Sequence, residues 1–144
     1  MASEFRMTHR VEFADTDMAG LVHFSSYFRW MEVTEHAFVR SLGFSIVMWE
    51  PFKVGWPRVH VECDFTGTLR FEDEVEAHLR VREKKEKSLT YDFVFRRVRP
   101  EPAADVGRGS ITTVCVTRDG SGALKAVPIP EPVARKIEVA PAGA

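Results

Sequence analysis

Apolar and polar residues alternate from residue 5 to residue 13. Phe5, Met7, His9, Val11 and Phe13 fall on one side, Arg6, Thr8, Arg10 and Glu12 on the other. A period of two marks a half-buried strand. From about Ser25 to Leu42 the pattern becomes helical. Tyr27, Phe28, Trp30, Met31, Val33, Ala37, Phe38, Val39 and Leu42 cover more than one stripe, so this helix is expected to be buried. Arg29, Glu32, Glu35, His36 and Arg40 form its expected wet edge. Ser25 or Ser26 is the expected N-cap, and Gly43 ends the helix in a left-handed conformation.

Five further strands follow an irregular stretch, residues 44–57, that carries Phe44, Trp49, Phe52 and Trp56. So many aromatics imply packing on the core, a ligand or a second subunit. Val59, Val61, Cys63 and Phe65 mark a second strand, which Thr66-Gly67-Thr68 interrupts. Val75, Ala77, Leu79 and Val81 mark a third. After a charged connection at 83–88, Leu89, Tyr91, Phe93 and Phe95 mark a fourth. A loop is expected at 96–105. Residues 111–118 read as an interior fifth strand, Asp119-Gly120 as a hairpin turn and 124–127 as a short sixth strand. Three prolines then stop strand pairing, and 131–138 reads as a last short helix. One strand, one long helix and then antiparallel strands predict an α+β domain spanning 1–139, with 140–144 as a disordered tail.

Composition narrows the function without naming it. The 144 residues suffice for one core, and 44% hydrophobic with 28% charged residues describes a soluble globular chain. A formal net charge of −1 gives no reason to expect a nucleic-acid partner. No apolar run approaches the roughly 20 residues of a membrane span. With no secretory signal and with Cys63 and Cys115 read as free thiols, the expected compartment is the cytoplasm.

Chemistry concentrates where the first strand meets the helix. Asp15-Thr16-Asp17 to Gly20 is turn sequence with two carboxylates, and it leads to the positive end of the helix, where free N–H groups suit a developing oxyanion. Asp17 is the sharpest candidate, although an aspartate in a loop is more often a turn former than a catalyst. Asp15 is read as structural, bonding the following N–H groups as an Asx turn. Gly20 suits a tight turn. His23, just before the helix, is more often a packed group than a proton carrier. Lys84, Lys85 and Lys87 form a basic cluster in a hairpin connection that is either solvated or a phosphate contact. Glu32, Glu35 and His36 lack a metal-ligand spacing, so no metal is expected.

The run Glu12-Phe13-Ala14-Asp15-Thr16-Asp17-Met18-Ala19-Gly20-Leu21-Val22, followed by Tyr27 and Arg29-Trp30, resembles the 4-hydroxybenzoyl-CoA thioesterase family of hotdog-fold acyl-CoA thioesterases. The resemblance implies a hotdog fold, with one long central helix wrapped by a curved antiparallel sheet of five to six strands. It implies that Asp17 attacks a thioester carbonyl or activates water, while the backbone N–H of Phe24 polarises that carbonyl. Some members place a histidine seven residues after the aspartate. Here Phe24 holds that position and His23 stands one place earlier. Gly20 and Tyr27 are carried over as substrate-binding, and Lys85, Lys87 and Ser88 as contacts to coenzyme A phosphates. The implied partner is an acyl-CoA substrate, with no metal or redox cofactor, in a homodimer or homotetramer with sites at the subunit seam. Two rival readings are a non-catalytic acyl-CoA-binding module and a hotdog dehydratase or hydratase.

Overall fold

The computed structural model describes residues 1–142. Five strands form one antiparallel sheet: β1 (Glu4–Arg10), β2 (Arg58–Phe65), β3 (Glu74–Lys84), β4 (Ser88–Arg99) and β5 (Ala104–Val114). Their order across the sheet is β1-β3-β4-β5-β2. One long helix, α1 (Phe24–Ser41), packs on the inner face against β1, β3 and β2. A two-stranded ribbon, β6 (Val116–Arg118) with β7 (Leu124–Ala126), and a short helix, α2 (Glu131–Ala134), complete the chain. This is the expected α+β arrangement, a hotdog fold with the helix wrapped by the sheet.

The predicted alternation builds the core. Val75, Ala77, Leu79 and Val81 are fully buried, and Leu89, Tyr91, Phe93 and Phe95 nearly so. They meet Trp30, Met31 and Phe38 of α1. Each large side chain removed from water contributes about 1.5–3 kcal/mol. Gly109 of β5 lets the helix come close: a Cβ there would lie 2.1 Å from Met31 Cε.

Several boundaries differ from the sequence pattern for identifiable reasons. β1 stops at Arg10, and Phe13 turns outward on a single 3₁₀ turn, Phe13–Asp15, with 79% exposure. The turn is closed by Asp15, whose carboxylate accepts the Glu12 N–H at 2.8 Å. The connection expected at 83–88 shrinks to 85–87, and the loop at 96–105 to 100–103. Cross-strand ladder bonds and the pairing of Arg96 with Asp105 at 3.0 Å carry the strands further than apolar alternation shows. The fifth strand begins at Ala104 and breaks at Cys115, whose N–H donates to Lys87 O, so 116–118 pairs with β7 instead. The last helix is one turn long, ended where Lys84 Nζ donates to Ala134 O and Ile137 O.

β2 differs in burial rather than in bounds. Val59, Val61 and Phe65 are 60%, 39% and 48% exposed, because β2 is an outer strand that the helix covers only in part. The expected tail begins with bonded residues. Ala140 N–H donates to Val81 O, and the Arg80 guanidinium to Pro141 O. Residues 143 and 144 lie outside the described residues.

Candidate active site

Residues 15–23 form a miniature hairpin between β1 and α1. Thr16 bridges Val22, Asp17 N–H donates to Leu21 O at 2.8 Å, and His23 N–H to Asp15 O at 2.7 Å. Gly20 turns the chain at φ +79, which glycine adopts without steric strain. Val22 N–H donates to Leu69 O, pinning the hairpin to the approach to β3.

Asp17 sits at the tip with its two oxygens in different situations. Oδ1 accepts the N–H groups of Ala19 at 2.8 Å and Leu21 at 3.3 Å. Oδ2 accepts no hydrogen bond among the described residues. The side chain borders an open cleft of about 650 Å³ lined by Phe13, Thr16, Met18, Gly20 and Phe71. Phe13 and Phe71 meet edge to face at 6.1 Å, and Met18 is fully exposed. The sequence pattern gave no hint of this apolar rim, because Phe13 was expected to face inward and Phe71 belongs to no periodic run.

Asp15 is structural, but its carboxylate bonds the preceding Glu12 N–H and Arg29 rather than following N–H groups as an Asx turn. Its side chain is 4% exposed. Oδ1 accepts from Arg29 Nη2 at 2.8 Å, Oδ2 from Glu12 N–H, and its carbonyl from Ser26 Oγ at 3.0 Å. Arg29, read as part of the helix's wet edge, is thus tied to the loop.

The cap of α1 is a correction. His23, not a serine, is the N-cap: its Nδ1 accepts the Ser25 N–H at 3.2 Å and lies 2.8 Å from Ser25 Oγ. Accepting at Nδ1 places the ring proton on Nε2. Ser26 N–H donates to His23 O. The N–H of Phe24 opens the helix and has no helical acceptor of its own. The Phe24 ring stacks on His23 at 4.4 Å.

The remaining candidates lie elsewhere. Tyr27 is in the core, 3% exposed, packed against Trp30, Phe65 and Phe95, and burial pushes its hydroxyl up to about 12. Lys85, Lys87 and Ser88 stand at the far end of the sheet. The Asp17 hairpin follows Arg10, which pairs with Glu74, whereas the 85–87 turn follows Lys84. Ten residues of β3 separate those ends, roughly 33 Å at strand rise. Within one chain the Asp17 hairpin and the basic turn are therefore apart.

A second acid, Glu35, was expected at the wet edge and is fully buried instead. Both of its oxygens accept from Arg58, which also donates to Trp56 O and Thr113 Oγ1. Burial, opposed by Arg58, pushes the Glu35 carboxyl up to about 7. His9 lies in the helix–sheet layer, with Nε2 3.0 Å from Thr34 Oγ1 and its ring stacked on Trp30. Burial, and after it the charge of Arg29, pushes His9 down to about 4. Among the described residues no group of three or more His, Cys, Asp or Glu could hold a metal ion, and no helix is long and apolar enough to cross a membrane.

The sequence profile of the thioesterase-like superfamily matches residues 11–137. The 4-hydroxybenzoyl-CoA thioesterase of Pseudomonas sp. strain CBS-3 is 30% identical over 136 residues, covering 90% of this chain and 94% of that protein. A gentisyl-coenzyme A thioesterase structure is 31% identical, with a TM-score of 0.75 over 90% of this chain and 98% of the other. An aspartate-to-asparagine mutant of 4-hydroxybenzoyl-CoA thioesterase, solved with 4-hydroxybenzoyl-CoA, superposes with a TM-score of 0.84 at 23% identity over 94% and 99% of the two chains.

Proposed function

The chain belongs to the thioesterase-like superfamily, and from that premise we propose that it hydrolyses an acyl-CoA thioester to a free acid and coenzyme A, with Asp17 as the reacting carboxylate. One observation carries this reading. Asp17 is anchored through Oδ1 while Oδ2 is left to the cleft, on the hairpin that leads into the N-terminus of α1. Oδ2 attacks the thioester carbonyl carbon, or takes a proton from the water that does. The carbonyl oxygen gains charge as the C–S bond prepares to break. Phe24 N–H donates to that oxygen, and the partial positive charge of the helix end supports the same charge. The sulfur leaves as the coenzyme A thiolate, and water completes release of the acid. His23 serves this scheme as the cap that orients the first turn.

The working unit in this reading is a dimer. An antiparallel pairing of two β2 strands would cover Val59, Val61 and Phe65 and satisfy an open strand edge. It would also set the basic end of one copy beside the Asp17 end of the other. Lys85, Lys87 and Ser88 of a second copy then meet the coenzyme A phosphates while its thioester lies at Asp17. The free thiols Cys63 and Cys115 favour a reducing compartment, the cytoplasm.

The test is thiol release from a screen of short, long and aromatic acyl-CoAs, with light scattering on the same samples. Turnover of at least one acyl-CoA by a dimer or tetramer is expected. Binding without thiol release would make the protein a module rather than an enzyme. A fully active monomer would remove the shared site.

A further inference from the structure

We propose that Asp15 is a positioning residue for thioester hydrolysis, clamping the Asp17 hairpin to the first two turns of α1 through Arg29 and Ser26. The inference rests on the reading of Asp17 and the Phe24 N–H as partners on one carbonyl. Nothing in the reaction calls on Asp15 to touch substrate. Its side chain is 4% exposed, against the open setting of Asp17 two residues later.

A buried carboxylate loses its hydration, and its ion pair seldom stabilises more than a well-packed apolar residue would. What a carboxylate adds here is direction. Four hydrogen bonds converge on Asp15 from separate pieces of chain. Glu12 N–H reaches Oδ2 from the end of β1 at 2.8 Å. Arg29 Nη2 reaches Oδ1 from the second turn of α1, also at 2.8 Å. Ser26 Oγ and His23 N–H reach the carbonyl from the start of the helix at 3.0 and 2.7 Å. Arg29 extends the clamp toward Glu12, with Nη2 3.9 Å from Oε1. The hairpin carrying Asp17 is thereby fixed to the turn that begins with Phe24. Two groups that must act on one carbon and its oxygen need that registration, since a displacement of about 1 Å can lower a rate roughly 10²-fold.

The experiment measures kcat and KM on benzoyl-CoA, or on whichever screened acyl-CoA the wild-type protein turns over fastest, for D15N, R29M, R29K, S26A and the D15N/R29M double variant. Thermal melts give the folded fraction at assay temperature. Positioning predicts a kcat roughly 10- to 100-fold lower in D15N and R29M, with KM within about threefold. It also predicts a double variant no worse than D15N alone and partial recovery of kcat in R29K relative to R29M. The proposal is overturned if D15N and R29M keep kcat within twofold, or if their loss vanishes once turnover is corrected for folded fraction. Should D15N fail to fold, R29M and S26A decide by the same criteria. D17N is the separate arm. If D17N is inactive while D15N keeps full kcat, positioning alone fails. If D17N keeps full kcat, the catalytic reading fails and this inference falls with it.

Discussion

Two acids, one on the loop before α1 and one within the helix, have opposite fates. Asp17, at the mouth of α1, is open to a cleft and leaves one oxygen without a hydrogen bond among the described residues. Glu35, three turns further on, is sealed in the core with both oxygens engaged by Arg58. Burial, opposed by Arg58, pushes the Glu35 carboxyl up to about 7. A perturbed carboxyl in a cleft would suggest catalysis. This one has no access to substrate and instead ties α1 to the outer strand β2. Accessibility and a free lone pair separate the acid proposed to react from the structural one.

Changes in stability sharpen that contrast, and they can be ranked. Glu35→Ala should be the most damaging, because it leaves the Arg58 guanidinium without its partner beneath the helix. A loss of about 3–5 kcal/mol in urea unfolding is expected. Gly109→Ala should follow at about 1–3 kcal/mol, since its Cβ would meet Met31 Cε at 2.1 Å and Glu62 O at 2.9 Å. A Gly109→Ala protein with an unchanged urea midpoint would mean that helix and sheet are not in that close contact.

The pH dependence should be smaller and two-sided. The unfolded chain releases the Glu35 proton near 4.5 and the folded chain near 7. The folded state holds more protons between those values, so stability should fall as pH rises through that window, and Glu35→Gln should flatten the fall. His9 has the reverse sign. Its folded value of about 4 lies below its ordinary 6.5. Its contribution is therefore full above pH 6.5 and lost as pH drops toward 4, and His9→Gln should remove that acid loss. Each slope is worth of the order of 1–2 kcal/mol after allowing for solvent screening. Urea midpoints between pH 4 and 7.5 would measure both.

Smallest in stability should be the basic turn. Lys85 is exposed and pairs with Glu83 at 3.1 Å. Lys85→Ala with Lys87→Ala should change unfolding by less than about 0.5 kcal/mol. The same variant should raise KM for acyl-CoA several-fold at constant kcat, if a second copy carries those lysines to the coenzyme A phosphates. An unchanged KM would detach the turn from the site.

Most of the architecture was legible because side-chain period and burial agree. Val75 to Val81 and Leu89 to Phe95 announce sheet interior by alternation alone, and the dense apolar run from Tyr27 to Leu42 announces a covered helix. The Asp17 hairpin was legible through turn chemistry, with Gly20 at positive φ as its residue type suggests. What could not be read depends on contacts distant in sequence. Nothing local tells Glu35 from a surface glutamate, since its partner lies 23 residues away on another element. Phe13 continues an alternation in sequence and leaves it in space, because Asp15 closes a turn beneath it. His23 as cap depends on a ring nitrogen meeting the Ser25 N–H, for which residue type gives only a weak hint. The placement of Lys85 and Lys87 opposite Asp17 follows from strand direction, which no motif encodes.

The most direct test of Asp17 as the reacting acid is thiol release by Asp17→Asn under single-turnover conditions, with acyl-CoA binding and thermal melting measured on the same protein. The account predicts a folded protein that binds acyl-CoA and releases thiol at least about 10³-fold more slowly than wild type. Thiol release at near wild-type speed from that variant would contradict it.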